Sequence, residues 1–287
     1  MSAYFSEARK KFHTAVITDI IRWRNSNIPS FADKHSKLSC EIARKIIDKI
    51  LGESEISGVE ISGQTSGKVF EDLVLDFVQT CFSQLNHLRP GSWQIKTVGK
   101  RQKLFISQFE QYSHLLILDE AARSNPELAA ALGSDYTITP DIVMFRLTEA
   151  DRSINQNSNL LDNDSVTYAS LRAKNNQSPI LHASISCKWT IRSDRSQNSR
   201  TEALNLIRNR KGRSPHIVVV TAEPLPSRIA SIALGTGDID CVYHFALYEL
   251  MAAVDDGHWQ DAAEMLKILV NGKRLRDISD LPLDLAV

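Results

Sequence analysis

The stretch ILHASISCKWTI, residues 180–191, decides how this chain is to be read. Its β-branched and small residues are strand-forming, and no helical spacing of apolar positions runs through it. Side chains alternate across a strand, so Ser184, Ser186 and Lys188 share one face while Ile185, Cys187 and Trp189 share the other. The apolar face predicts packing on helices. The opposite face then holds a lysine and two hydroxyls in a sheet expected to be covered on both sides. A buried ammonium is costly without partners, so carboxylates should lie near it. Two candidates stand out. Asp141 enters a neighbouring strand behind Pro140 in YTITPDIVMFRL, residues 136–147, and Glu202 lies early in the helix that follows the lysine strand.

Working outward, IVVVT at Ile217 to Thr221 reads as a buried strand and Ile239 to Phe245 as another. Helices are expected through Leu204 and Ile207, after Pro226, and as one element over Leu250 to Val270, with DISDLPLDLAV as a tail. The first third reads as helical. Ile42, Ala43, Ile46, Ile47 and Ile50 recur on one helix face. After a Gly/Ser-rich connector, SGVEISGQTSG, the residues Phe70, Val74, Phe77, Val78 and Cys81 belong to a long apolar stripe, with Glu71, Asp72 and Asp76 off it. A third helical stretch from Leu104 to about Leu132 is broken near Asn125-Pro126. The polar segment from Asp151 to Ser178 reads as a surface insertion. The expected fold class is α/β, a mixed sheet flanked by helices. One domain over 1–287 is the simplest count, with a mainly helical part at 1–133 and an α/β core at 134–287 that carries the insertion at 151–178.

Bulk properties narrow the class. The chain has 287 residues with 34 Lys+Arg and 34 Asp+Glu, so any nucleic-acid contact must rest on local charge. Its four cysteines form no C-x-x-C pair, which argues against a disulfide framework or a zinc site. The charged N-terminus does not resemble a signal peptide, and no apolar run is long enough for a membrane span. A cytoplasmic protein with no membrane partner is expected.

Two carboxylates and an ammonium suit phosphodiester hydrolysis. Mg2+ takes oxygen ligands and is commonly held by one or two carboxylates plus substrate phosphate. The bland alternative is a strand-start aspartate and an edge lysine, and pattern alone leaves both open. Local charge adds to the case. Lys188, Arg192, Arg195, Arg200, Arg208, Arg210, Lys211 and Arg213 fall within 26 residues against only Asp194 and Glu202, as a phosphate backbone would require. The last four close a helix, where cations complement the dipole, and that role suffices for them. Arg192-Ser193-Asp194-Arg195 supplies forks for guanine and an acceptor for cytosine; it equally suits a helix N-terminus with Asp194 in the first turn or as cap.

These same residues carry a family likeness. SDYTITPDI (Ser134 to Ile142), LHASISCKWTIRSDR (Leu181 to Arg195), NRKGR (Asn209 to Arg213), PHIVVVTAEP (Pro215 to Pro224) and DCVYHFALYEL (Asp240 to Leu250) resemble the NgoMIV type II restriction endonucleases. The likeness is dense from Gly133 onward, clear at GQTSG (Gly63 to Gly67) and HLRPG (His87 to Gly91), and thin in the first fifty residues. It implies a PD-(D/E)xK nuclease core of the CCGG-recognising group. The implied reaction is Mg2+-dependent cutting of double-stranded DNA at GCCGGC, after the first G, leaving 5′ overhangs. In this group the acidic residue two before the lysine is replaced, here by Ser186, and its role passes to a helix glutamate, here Glu202. The resemblance further implies that Asp141 and the Cys187 carbonyl ligate the metal and that Glu71 approaches the site. Arg192, Asp194 and Arg195 would read the inner bases. Asp33 and Arg228 would contact the outer pair, and Gln64 would reach from the minor groove. A homotetramer, a dimer of dimers on a palindrome, is implied as well.

Other signals weigh less. A Ser186–Lys188 hydrolase pair lacks an evident oxyanion hole. Gly235-Thr236-Gly237 is too short for a nucleotide loop. His182, His216 and His244 read as core residues rather than ligands, and Trp189 as core packing. A non-catalytic DNA-binding protein on the same scaffold is the alternative to the nuclease.

Overall fold

The computed structural model describes residues 2–24, 28–51, 56, 61–99, 104–133, 138–191, 193–235 and 237–287, and for residues 193–196 the backbone alone. Along the chain come α1 (Tyr4–Asp19), β1 (Trp23–Arg24), β2 (Ile28–Pro29), α2 (Lys37–Ile50), α3 (Gly63–Phe82) and β3 (Trp93–Thr97). There follow α4 (His114–Ser124), α5 (Pro126–Leu132), β4 (Ile142–Arg146), α6 (Asp151–Ile154), β5 (Ile180–Lys188) and α7 (Ser193–Asn209). The last third holds β6 (His216–Thr221), α8 (Pro226–Ala233), β7 (Cys241–His244), α9 (Leu247–Asp256), α10 (Gln260–Asn271), β8 (Leu275–Asp277) and α11 (Leu281–Asp284). The chain divides into two compact units: Met1–Arg89, Ile185–Thr201 and Ile217–Val287 form the first, Pro90–Ser184 and Glu202–His216 the second. Both β5 and α7 contribute to each unit.

In the first unit the sheet runs β5-β6-β7-β8, with β6, β7 and β8 parallel in register Val219↔Val242 and Tyr243↔Arg276. Val218, Val219, Val220 and Val242 are buried, as a strand covered on both faces requires. Trp189 leaves the end of β5 into an aromatic core with Phe70, Phe31 and Phe245, at ring-centroid distances of 5.1, 5.7 and 6.3 Å. Each such ring contributes ~1.5–3 kcal/mol on burial. The expected core role of Trp189 therefore holds. α3 starts at Gly63, where the Ser62 hydroxyl accepts from Thr65 N–H at 3.1 Å. The last five residues of the Gly/Ser connector, Gly63 to Gly67, are thus helical. Glu71, placed off the apolar stripe by sequence, is 6% exposed. Its carboxylate pairs with Lys68 one turn earlier, at 2.7 Å.

The single helix expected over Leu250 to Val270 is two. α9 closes at Gly257, and His258 adopts φ +56 before α10 begins at Gln260. The Trp259 ring lies so near Gly257 that a Cβ there would approach it to 2.4 Å, so glycine fits the turn where a periodic apolar pattern had suggested continuity. The expected tail begins at Asp277, the last residue of β8, which is fully buried and with Glu249 grips Arg9 of α1.

In the second unit the order is β3-β4-β5, with β3 and β4 antiparallel in register Ile95↔Met144. β3 was not expected from sequence. WQIKT carries Gln94 and Lys96 at alternate positions, and its partner β4, with Ile142, Val143 and Met144 fully buried, supplies the ladder. Gly91, at φ +139, turns the chain into β3 beneath the Arg146 side chain, which would meet a Cβ at 2.6 Å. Gln111, 1% exposed, extends β5 with its side chain, donating to Leu181 C=O at 2.7 Å and accepting from Leu181 N–H at 3.0 Å. Asn125 caps α5 and breaks the third helical stretch where Pro126 predicts it.

The expected surface insertion is more ordered than its composition suggests. Arg172 is 2% exposed and centres it, donating to Asp151 at 2.7 and 2.8 Å and to the carbonyls of Asp162 and Ser165 at 2.6 and 2.8 Å. Leu161, 6% exposed, is buried in this segment as well.

Candidate active site

Lys188 is the last residue of β5, and the first unit anchors its main chain. Its carbonyl accepts the Thr221 hydroxyl at 2.8 Å and Ala222 N–H at 3.4 Å. Thr221 is fully buried at the end of β6, and the same oxygen accepts Glu223 N–H at 3.1 Å. Ser186, two residues earlier, is 6% exposed, and Cys187 and Lys188 are half-buried. Ser184 and Ser186 on one face are buried, as are Ala183 and Ile185 on the other, so β5 is covered on both faces, as its sequence predicts. The four cysteines, Cys187 among them, carry free thiols. Glu71 faces inward from α3, while Gln64 lies exposed in the first turn of that helix.

A second cluster in the first unit joins residues far apart in sequence. Arg228, in the first turn of α8, pairs with Asp33 across 195 positions of sequence. The guanidinium holds the Asp33 carboxyl below the usual carboxylate range, helped by the N–H of His35 at 3.0 Å. On its other side Arg228 stands 3.9 Å from Glu223. Glu223 is 1% exposed, and burial pushes its carboxyl up to about 7 against the opposing pull of Ile191 N–H and Arg228. Asp33 and Arg228, two residues singled out in sequence, are thus brought together. Glu223 escaped sequence reading; its signal is a carboxylate just past the apolar run of β6, next to Pro224.

In the second unit Asp141 precedes β4 directly, and its carbonyl accepts from Val98 N–H at 3.0 Å, so the Pro140-Asp141 entry is stitched to the end of β3. Glu202 is half-buried in α7, and Ala203 and Leu206 beside it are buried. Arg192 lies outside the described residues, as do the side chains of Asp194 and Arg195.

The basic segment divides by role. Arg200, in the first unit, donates to the carbonyl of Ser231 at 3.0 Å and to that of Leu234, closing the C-terminus of α8. Arg210, one residue past α7, likewise serves the Ile207 carbonyl in the last turn of that helix. Arg208, Lys211 and Arg213 are exposed. His244 is fully buried: its Nδ1 accepts from Ala246 N–H at 3.2 Å, its Nε2 donates to the Glu223 carbonyl at 3.2 Å, and burial pushes it down to about 4. His182 stacks edge-on with Trp93 and with His216, each at 4.9 Å. His182 and His244 are core histidines, as sequence predicts, while His216 is half-buried. Among the described residues no helix is long and apolar enough to cross a membrane.

The family model described as NgoMIV restriction enzyme matches residues 12–287. This chain belongs to the NgoMIV restriction enzyme family. Type II restriction enzyme NgoMIV of Neisseria gonorrhoeae is 57% identical to it over 288 residues, covering 100% of both chains. The chain is a type II restriction endonuclease, an enzyme that cleaves DNA at specific sequences. Among solved structures, the Bse634I restriction endonuclease overlaps 76% of this chain and 85% of its own at 15% identity and TM-score 0.36. The PspGI–substrate DNA complex overlaps 88% and 95% at 13% identity and TM-score 0.28. Membership in the NgoMIV family rests on the sequence match along the chain, and the α/β fold on the sheet and helices described above.

Proposed function

We propose that this enzyme hydrolyses double-stranded DNA at the palindrome GCCGGC, after the first G and with Mg2+, from a site built of Asp141, Lys188 and Glu202 with Ser186 and Glu71. One observation carries the proposal: Pro140-Asp141 leads directly into β4, Ser186-Cys187-Lys188 closes β5, and Glu202 lies in α7, in a chain of the NgoMIV family. The Asp141 carboxylate and the Cys187 carbonyl would hold the metal, both hard oxygen donors of the kind Mg2+ prefers. When bound, Mg2+ neutralises charge on the scissile phosphate and lowers the pKa of a coordinated water. Lys188 orients the attacking water and offsets the negative charge that develops on the phosphate. A strand end tied down by Thr221 limits how far that ammonium can drift. Ser186 stands where a carboxylate is usual, and Glu202 supplies the missing acid. Glu71 adds a further carboxylate from α3.

Base reading falls to Arg192, Asp194 and Arg195 for the inner pairs, Arg228 and Asp33 for the outer pair, and Gln64 from the minor groove. The pairing of Arg228 with Asp33 supports the outer-pair assignment, because a fork and an acceptor side by side match a G·C edge. We further propose one restriction-endonuclease domain over 1–287, a homotetramer acting on two palindromic sites, and a cytoplasmic location.

Supercoiled plasmid carrying GCCGGC, incubated with the protein and Mg2+, tests the reading. Discrete fragments whose sequenced ends begin CCGGC are expected, with Lys188→Ala and Asp141→Ala both inactive yet able to shift the same DNA on a gel. Wild-type turnover in either variant would remove that residue from the site, and a gel shift without cutting by the wild-type chain would leave only a DNA-binding protein.

A further inference from the structure

Every polar atom of Glu223 is engaged. Its N–H donates to Thr221 and its carbonyl accepts from His244. One carboxyl oxygen accepts Ile191 N–H at 2.9 Å, the other accepts Leu225 N–H at 3.2 Å and faces Arg228 at 3.9 Å. Two backbone donors aimed at two oxygens require a carboxyl group: an amide could accept with only one, and its NH2 would confront the second N–H. A cation alongside then offsets part of the cost of burying that group.

The positions of the partners give this arrangement a purpose. Leu225 is the N-cap of α8, and Arg228 is in that helix's first turn. Ile191 ends the segment that leads out of β5. Arg228 stands between two carboxylates of opposite character. Asp33, 27% exposed, can face the DNA beside Arg228, whereas Glu223, 1% exposed, is held behind it. A guanidinium reads guanine only when its plane is held for two parallel hydrogen bonds, and an exposed arginine loses several rotatable bonds' worth of freedom to reach that pose.

We propose that Glu223 is the positioning residue for the outer-pair reader, holding the Arg228 guanidinium from behind so that it meets the outer G·C pair of the site. The inference rests on the assignment of Arg228 to that pair. Glu223 touches no DNA; it acts through Arg228, and its own hold on Ile191 N–H and Leu225 N–H keeps it in place.

The test is cleavage of three duplexes in Mg2+ by the full chain: GCCGGC, the outer-substituted ACCGGT and the centre-substituted GCATGC, each as kcat/KM. Wild type, Glu223→Gln, Glu223→Asp, Arg228→Ala and the double variant Glu223→Gln/Arg228→Ala are compared, with folding checked by far-UV circular dichroism and melting. Glutamine is close in shape and can keep the Ile191 bond, but turns its NH2 toward Arg228. The expected result is a fall of about tenfold in the GCCGGC-to-ACCGGT ratio, with the GCCGGC-to-GCATGC ratio held within about twofold. Aspartate, which keeps the charge, should fall between wild type and glutamine, and the double variant should be no worse than Arg228→Ala alone. If Arg228→Ala loses outer-pair discrimination while Glu223→Gln keeps it, the positioning role is wrong and the base-reading assignment survives. If Arg228→Ala keeps it, the assignment fails and the proposal with it. Equal loss of both ratios in Glu223→Gln, or an aspartate variant worse than the glutamine one, means general loosening and also overturns the proposal.

Discussion

Thr221→Val should separate what a buried hydroxyl does from what its methyl group does. Valine matches threonine in shape, so no cavity opens, yet two hydrogen bonds vanish: the one to the Lys188 carbonyl at 2.8 Å and the one from Glu223 N–H at 3.1 Å. The Lys188 carbonyl keeps Ala222 N–H at 3.4 Å, but Glu223 N–H is left without its acceptor in a fully buried place. A net hydrogen bond is worth ~1 kcal/mol and an orphaned buried donor costs ~1–3 kcal/mol, so the variant should lose about 2–4 kcal/mol. Thr221→Ser keeps the hydroxyl and drops the methyl, a loss of about 1 kcal/mol. Urea midpoints at one pH measure both. Cleavage of GCCGGC plasmid measures the consequence for Lys188: the valine variant should cut at least ~10-fold more slowly, since small misplacements of a catalytic group are expensive, and the serine variant should stay near wild type. A serine variant that is both less stable and slower than the valine one would show that methyl packing matters here, and that the hydroxyl does not hold the strand end.

Three further outcomes follow from buried charge. Glu223, raised to about 7 from an ordinary 4.5, holds its proton in the folded state across a range where the unfolded chain releases it. Wild type therefore loses stability through this group as pH rises from about 4.5 to about 7, by up to ~3 kcal/mol. Glu223→Gln should remove that slope, and a wild-type-minus-variant difference that stays flat between pH 4 and 8 would contradict it. Arg9→Met should destabilise the chain by ~3–5 kcal/mol, because Asp277, fully buried, loses the partner that holds it ionised; Asp277→Asn on top should recover part of the loss, and strictly additive losses in urea would count against the pairing. Arg172→Met should open the insertion at 151–178, giving at least ~10-fold faster protease nicking there, since three of its acceptors are left behind; unchanged digestion would mean the segment is held by other means.

Much of the fold could be read locally. The 3.6-residue spacing of Ile42, Ala43, Ile46 and Ile47 announces α2, and unbroken apolar runs announce β4 and β6, because those periods are written into neighbouring residues. The lysine on β5, the aspartate behind Pro140 and the concentrated positive charge of residues 188–213 are likewise visible without coordinates. β3 was not, since an edge strand with alternating polar residues owes its existence to a partner fifty positions on. Nor was the break at Gly257, where a turn interrupts a periodic pattern that reads as continuous.

Residue types and their spacing along the chain determined what chemistry this protein can carry: acids, an ammonium, arginine forks, and the uninterrupted strings that place it in its family. The tertiary structure alone decided which charges are buried and with whom. Arg172 sits inside a segment whose composition looks wholly solvated, Glu71 turns inward from a helix face expected to be wet, and Arg228 finds Asp33 from 195 positions away. Burial and pairing depend on desolvation and on contacts between distant elements, and neither quantity exists until the chain has closed on itself.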